Sequence, residues 1–287
     1  MKKLLVFLLA IPFLSFGQDE NGWSRQGSAG LQFTQVTLVN WNAGGQNSLA
    51  GVSSFNYSVN YQDSTSAWTN ALELAYGLQK QGEGAVIKID DKIDFASQYN
   101  HDFYNDWKYA GLLNFRTQFT DGFNYPNDSV KISTALAPAY LIASAGFEYK
   151  PNKNFGLMIS PLTGKLTLVT DTFLSNQGAF GVEAGETSRM ELGAFIKARY
   201  KVSLMENVSL EARADLFSNY LNNPENIDIN AEARVNMKVN DFITVTLHAH
   251  TIYDDDIMIA YDDADPSKTG PRLQYKQVVG LGLLYKF

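Results

Sequence analysis

From about residue 28 onward, apolar and polar residues alternate with a period of two along most of the chain. Over 48–61, Leu49, Phe55, Tyr57, Val59 and Tyr61 share one face with Gly51 and Ser53, while Ser48, Ser54, Asn56, Ser58 and Asn60 share the other. Successive side chains of a strand point to opposite faces, so this pattern predicts a β-strand with one apolar wall. The same pattern recurs. Met190, Leu192, Ile196, Tyr200 and Val202 alternate with Arg189, Glu191, Lys197 and Arg199. Val208, Leu210, Ala212, Ala214 and Leu216 alternate with Glu211, Arg213 and Asp215. Ile229, Ala231, Ala233 and Val235 alternate with Asn230, Glu232 and Arg234. The last run, 272–287, closes on Leu283, Tyr285 and Phe287.

The alternation predicts strands near 28–40, 48–62, 67–78, 87–99, 107–120, 138–149, 154–163, 188–204, 207–218, 227–239, 242–253 and 272–287. Several are longer than the ~5–6 residues usual in soluble sheets. They suit the roughly 9–11 tilted residues of a membrane-spanning strand. Connections sort by length. Short ones, such as 63–66 and 240–241, alternate with mostly longer ones, such as 121–137, 164–187 and 254–271. Short turns on one rim and long loops on the other mark an outer-membrane barrel, with the short turns periplasmic. Tyr61, Trp68, Tyr99, Trp107, Tyr149, Tyr200, Tyr285 and Phe287 fall toward the short-turn rim, and Tyr76, Phe119 and Tyr275 toward the other. Amphipathic rings favour the membrane interface, so two aromatic girdles are expected. The predicted fold is all-β: a transmembrane antiparallel β-barrel of the outer-membrane type with about 12 strands.

Composition fits this reading without announcing it. Hydrophobic residues make up 45% of the 287, an ordinary share. A barrel strand gives alternate residues to the lumen, so its mean stays near neutral. Lys2 and Lys3, the apolar run Leu4–Leu14, and the small residues Ser15 and Gly17 before Gln18 read as a signal peptide over 1–17. Export through the general secretory pathway to the outer membrane follows as the expectation. Residues 18–27 are expected as an N-terminal periplasmic segment and 28–287 as the barrel. Cysteine is absent, which excludes disulfides, thiolate ligands and a cysteine nucleophile. The net charge of −7 and the lack of a Lys/Arg cluster argue against nucleic acid as a partner.

The charges on the polar faces carry the functional reading. Arg116, Arg189, Glu191, Lys197, Arg199, Glu211, Arg213, Asp215, Glu232 and Arg234 are predicted to point into the lumen. Both signs occur on adjacent strands, so cross-strand pairs are available. Arg199, Glu211, Arg213 and Arg234 are expected to pair and narrow the bore at mid-height. The alternative is a water-filled pore whose charges bias ion passage. A second set, Asp254, Asp255 and Asp256 with Asp262, Asp263 and Asp265, crowds one long loop. With His248 and His250 on the strand leading into it, Asp254, Asp255 and Asp256 form a candidate divalent-cation site, against the plainer reading of a solvated loop. No Gly-x-Ser-x-Gly, His-Glu-x-x-His or phosphate-loop pattern occurs. No catalytic residue, enzyme activity or cofactor is therefore assigned.

Four stretches carry a family resemblance: Asn40-Trp41-Asn42-Ala43-Gly44-Gly45-Gln46, Ser160-Pro161-Leu162-Thr163-Gly164-Lys165, Tyr253-Asp254-Asp255-Asp256, and Gly280-Leu281-Gly282-Leu283-Leu284-Tyr285-Lys286-Phe287. Through them the chain resembles an uncharacterised outer-membrane family of Bacteroidota, the domain-of-unknown-function 3078 family. The resemblance implies an outer-membrane barrel and carries no assigned activity. The terminal Phe287 also resembles the C-terminal signal of barrels inserted by the outer-membrane assembly machinery. Outer-membrane lipid and that machinery are the expected partners. Two functions are expected: a narrow channel or small-solute transporter, or a closed scaffold acting through its loops or periplasmic rim.

Overall fold

The computed structural model describes residues 22–39, 45–261, 265 and 268–287. Twelve long strands carry the fold: β1 (Trp23–Val36), β2 (Ser48–Gln62), β3 (Ser66–Gln81), β4 (Val86–Tyr104), β5 (Trp107–Thr117), β6 (Ala139–Tyr149), β7 (Phe155–Leu168), β8 (Ser188–Met205), β9 (Val208–Asn219), β10 (Ile227–Lys238), β11 (Ile243–Tyr253) and β12 (Gln274–Lys286). Each pairs antiparallel with its chain neighbours, and β1 pairs with β12, so the sheet closes on itself. The chain is an all-β, 12-stranded antiparallel barrel, and closure removes the free edges that an open sheet would present.

Polarity is inverted relative to a soluble protein. Tyr275, Leu281, Leu283 and Met190 are exposed on the outer wall, while Asp94, Glu191, Asp215 and Lys165 are buried on the inner one. Exposed large apolar side chains and buried charges, in one sheet, are the informative departures from ordinary burial. They follow from the period-two pattern once the apolar face is turned outward, which is the plan of a transmembrane barrel. Among the described residues no helix is long and apolar enough to cross a membrane, which says nothing about crossing by strands.

The short turns, 63–65, 105–106, 150–154, 206–207 and 239–242, share one rim with both ends of the barrel sheet. Aromatic rings gather there. Trp23 lies 5.1 Å from Tyr61 and 6.0 Å from Trp68, Trp107 lies 5.1 Å from Tyr149, and Tyr285 lies 5.9 Å from Phe287. On the opposite rim Tyr76 meets Phe119 edge-on at 6.4 Å.

Several boundaries differ from expectation. Trp23–Gly27, expected in a periplasmic segment, already pair with Tyr61–Tyr57 in β1. The alternation there is masked by Ser24, Gln26 and Gly27, and Trp23 is the rim residue that reveals the strand. His101, expected in a turn, lies within β4, and its Nδ1 is 3.0 Å from the Ser66 hydroxyl. Strand β7 does not end near 163. It passes Pro161 and runs on to Leu168, because Pro161 sits at a bulge where the register with β6 and β8 shifts. A bulge leaves one residue unpaired, so the missing proline N–H costs no ladder bond. The Ser160 hydroxyl donates to the Ala145 carbonyl at 2.7 Å beside it. Gly146 faces the bulge, and a Cβ there would lie 2.2 Å from the Ile159 carbonyl oxygen, so a side chain is excluded.

The long loops fold upon one another. Asp171 caps the helix α1 (Thr172–Asn176) by accepting from the Leu174 N–H. Leu174, Val169 and Val182 bury against Ala137 of the preceding long loop, with Phe180 packed beside them. Lys131 binds Asp171 at 2.5 Å and ties the two loops together. Asp91 of β4 accepts from the backbone N–H of Phe119 at 2.7 Å and of Thr120 at 3.0 Å, which fixes where the first of these loops departs.

Candidate functional site

The lumen is a continuous cavity of about 1460 Å³. Its lining runs from the short-turn rim, at Asn207, Asn240 and Asp241, to the long-loop rim, at Ile132, Phe180 and Ile257. Ser28, Ser54, Asn56, Ser58 and Asn60 line one side of it. These are the polar positions that the period-two pattern assigns inward.

Charges cross this cavity at mid-height. Lys92 on β4 bonds Glu73 on β3 at 2.9 Å and Glu232 on β10 at 3.3 Å. In a ring of twelve, β4 and β10 are diametrically opposed, as are β3 and β9. Arg213 on β9 bonds Glu232 at 2.8 Å and lies 3.6 Å from Glu73 and 3.8 Å from Asp94. Arg116 on β5 bridges Asp94 at 3.0 Å and Asp215 on β9 at 2.6 Å. Asn114 adds a 2.7 Å bond to Asp94. Glu73, Asp94 and Glu232 thus each answer cations from more than one wall. A charge in a restricted lumen loses much of its hydration and is held only when paired.

A second cluster sits nearer the long loops. Lys165 on β7 bonds Asp228 on β10 at 2.6 Å and lies 3.5 Å from Glu191 and 3.6 Å from Asp254. Its ammonium also lies 5.1 Å from the Phe217 ring centroid. Arg189 bonds Glu191 at 3.1 Å and Asp256 at 2.6 Å, and donates to the Gly181 carbonyl at 3.3 Å. This arginine therefore pins both long loops, 169–187 and 254–273, to the barrel wall.

Of the residues expected in the lumen network, Arg116, Arg213, Asp215 and Glu232 join the mid-height bridge, and Arg189 and Glu191 join the upper cluster. Arg199 and Glu211 do not cross the bore. They pair with each other at 2.7 Å on neighbouring strands, and Arg199 is half-exposed toward the short-turn rim. Arg213 turns away from them to Glu232. Lys197 donates to the Gln98 amide oxygen at 3.5 Å. Arg234 lines the cavity, and among the described residues it joins no ion pair within 4 Å. The expected grouping of Arg199, Glu211, Arg213 and Arg234 divides: Arg199 pairs with Glu211 and Arg213 with Glu232, each on an adjacent strand, while Arg213 also reaches Glu73 on the opposite wall.

Glu73, Lys92, Asp94, Lys165 and Asp228 were not expected in the network. Period two over Glu73–Leu74 and Lys92–Ile93–Asp94 places all three charges on one face, which is the signal that finds them. An apolar cluster was also unexpected. Leu112, Ile142, Met158, Phe195 and Phe217 pack inside against the β5–β9 wall, so that side of the lumen is filled. These positions interrupt the alternation, since both faces of β5 and β8 become apolar there.

The candidate cation site does not form. His248 lies 3.3 Å from Glu232, and the His250 Nε2 lies 2.9 Å from the Asn230 amide oxygen. Asp254 is drawn to Lys165, Asp255 accepts from Asn226 at 2.5 Å, and Asp256 binds Arg189. Among the described residues no three carboxylate or imidazole groups are placed to share an ion. The acidic run disperses because each carboxylate meets its own donor. Asp262 and Asp263 lie outside the described residues, as does Asn40–Gly44.

Residues 33–123 match the family described as "Protein of unknown function (DUF3078)". No curated protein matches. Among solved structures, the translocator domain of the autotransporter NalP from Neisseria meningitidis is similar at 12% identity and a TM-score of 0.41, over 94% of this chain and 90% of that one. An outer membrane channel from Pseudomonas putida F1 is similar at 10% identity and a TM-score of 0.41, over 95% of this chain and all of that one. OmpF of Salmonella typhi, in complex with daunomycin, is similar at 8% identity and a TM-score of 0.32, over 94% of this chain and 99% of that one.

Proposed function

We propose that this chain is a narrow outer-membrane passage for small hydrophilic solutes, with the mid-height ion-pair bridge as its constriction. The observation that carries the reading is the continuous cavity between the two rims, crossed by Lys92–Glu232 and Arg213–Glu73. The aromatic rims and apolar outer wall support residence in the outer membrane, reached by secretion and inserted by the assembly machinery. About a dozen strands lies between the filled eight-stranded barrel and the open sixteen-stranded porin, which suits a bore that charged side chains can span. The filled β5–β9 wall and the packed long loops favour a second reading, a closed scaffold acting through its rims. Planar-bilayer recording of the refolded protein tests the proposal. Stable single-channel steps are expected, and a silent bilayer at all potentials overturns it in favour of the scaffold.

A further inference from the structure

Toward the short-turn end of the lumen the balance of charge changes sign. At mid-height and above, Lys92, Arg116, Arg213 and Lys165 each meet two or more carboxylates. Below them, Lys201 on β8, Glu211 on β9 and Arg234 on β10 stand in one row across adjacent strands. Arg199 takes Glu211 at 2.7 Å, and Lys201 lies 3.5 Å from its other oxygen. Arg234 joins no ion pair among the described residues. Glu232, the next inward residue above it, is held by Arg213 at 2.8 Å and Lys92 at 3.3 Å. At the rim Lys238 is matched by Asp241 at 2.7 Å, and Glu206 and Lys286 bring one charge of each sign. Once Arg199 has neutralised Glu211, the charges of Lys201 and Arg234 are left in surplus. Lys197 also joins no ion pair among the described residues, but it does not line the cavity.

The facing wall is polar and uncharged. In the ring of twelve, β8 stands opposite β2. Ser58 and Asn60 of β2 line the cavity, as do Gln26 of β1 and Thr69 of β3. Among the described residues their side chains have no hydrogen-bond partner. Ser58, Lys201 and Arg234 each lie four residues from the short-turn end of their strands, and Asn60 lies two, so both walls meet at one height. A solute there has cations on one side and open hydroxyl and amide groups on the other.

We propose that this end of the lumen binds a phosphorylated sugar-like solute, with its phosphate against Arg234 and Lys201 and its hydroxyls against Ser58 and Asn60. Lys201 and Arg234 are two strand spacings apart, roughly 10 Å between backbones, so both long side chains can close on one anion. A phosphate monoester carries about −1.5 to −2 charges at neutral pH, which matches the surplus. A single carboxylate leaves one cation unanswered. Guanidinium donates to two phosphate oxygens at once, which fixes the head group. Ser and Asn side chains both donate and accept, as sugar hydroxyls require. The inference deepens the passage reading by giving its class of solute, and binding is read apart from conduction.

Isothermal titration of the refolded protein in detergent micelles, at neutral pH, uses glucose 6-phosphate, inorganic phosphate and glucose as probes. Low salt leaves the lumen charges unscreened. Saturable binding of glucose 6-phosphate is expected, several-fold tighter than that of inorganic phosphate, with none for glucose. Arg234→Gln should weaken both anions roughly tenfold, as loss of one charge-assisted hydrogen bond does. It strips no carboxylate of an ion-pair partner, so the barrel should still fold. Ser58→Ala combined with Asn60→Ala should bring glucose 6-phosphate down to the affinity of inorganic phosphate and leave phosphate itself unchanged. Lys276→Gln is the control, since that lumen cation is bound to Asp90 at 2.7 Å near the long loops, and it should change neither affinity. The proposal is overturned by absence of saturable binding, by equal affinity for glucose 6-phosphate and phosphate, or by Arg234→Gln binding no more weakly than Lys276→Gln. Single-channel recording of the same preparations separates the two readings. A barrel that conducts without binding keeps the passage and loses the site, and a silent barrel that binds does the reverse.

Discussion

Lys92 on β4 and Glu232 on β10 meet at 3.3 Å although the ring of twelve strands sets them on opposite walls. Two long side chains reaching toward each other bisect the bore. Glu232 also binds Arg213 and His248, so it is the hub of the bridge. Replacing Lys92 and Arg213 together by Ala removes both cations that hold it. Single-channel conductance should rise, because the Lys92–Glu232 and Arg213–Glu73 links across the bore are then gone and the Arg116 bridge remains. Thermal stability should fall, since leaving a buried acceptor without its partner costs about 1–3 kcal/mol. Arg199→Ala is the contrast. Its pair with Glu211 is half-exposed and lies on one wall. Such pairs contribute about 0–1 kcal/mol, so both conductance and melting should stay near wild type. Equal effects of the two changes would show that the constriction is not the transverse bridge.

Strand number, facing and the sorting of short turns from long loops were legible because each depends on local pattern, and Ala231 against Asn230 or Leu281 against Gly282 reads correctly from spacing alone. The transverse pairs were not legible. Lys92 and Glu232 are 140 residues apart, and only the closed ring brings them together. The apolar fill was missed for the opposite reason. Phe195 and Phe217 break the alternation, and a break looks like noise until the register pairs them directly across β8 and β9. The strand expected over 154–163 stopped short of Leu168 because the bulge that accommodates Pro161 depends on two neighbouring strands. The acidic run Asp254–Asp256 suggested a shared ion only because its separate donors, Lys165, Asn226 and Arg189, lie elsewhere in the chain.

The outward facing of Ala231 gives a direct test of the membrane belt. It pairs with Ala214 and Thr251 at the middle of the β9–β10–β11 wall. Arg at the bilayer midplane of a barrel costs about 2–4 kcal/mol. Ala231→Arg should lower the urea midpoint of refolding into lipid vesicles accordingly. Glu73→Gln, a lumen change of similar depth, should cost less in the same assay while altering conductance. Equal tolerance of Arg at 231 would place this wall outside hydrocarbon.

The rim assignment predicts an all-or-none labelling pattern. Ser129→Cys in the 118–138 loop should react with a membrane-impermeant maleimide on intact cells. Thr65→Cys, in the turn after β2, should react only once the outer membrane is permeabilised. The reverse pattern would invert the barrel.

The two long loops should separate in acid. The Lys131 hydrogen bond holds the Asp171 carboxyl below its ordinary range, and the Leu174 N–H adds to this. The same hydrogen bond, donated by Lys131 to Asp171, raises the Lys131 ammonium. A depressed carboxylate stabilises the docked loops above its unfolded value, and that contribution is lost as pH falls through the folded one. A raised lysine contributes below its unfolded value, and is lost as pH rises through the folded one. Docking should therefore be constant near neutrality and weaken at both extremes. Protease cleavage within 169–187 should rise on acidification below the ordinary carboxylate range. Asp171→Asn should show raised cleavage already at neutral pH, with the acid increment diminished. An unaltered acid response in that variant would assign the transition to other groups.

Phe217 joins the structural and functional parts of the lumen. Its ring is buried among Phe195, Met158 and Leu112, and Lys165 lies 5.1 Å from its centroid. Phe217→Ala removes a filled volume that neighbouring strands cannot collapse into, because the closed ladder fixes their spacing. Phe→Ala in a packed core costs about 3–5 kcal/mol, and little relaxation places this site toward the upper end. The vacated space adjoins the continuous cavity, which Phe217 itself lines. Water entering there should widen the passage, so conductance should rise as stability falls. Phe217→Leu keeps most of the volume and should restore stability while losing the ring beneath Lys165. If Phe217→Ala destabilises but conducts like wild type, the apolar fill is scaffolding alone and the passage runs wholly along the β1–β3 wall.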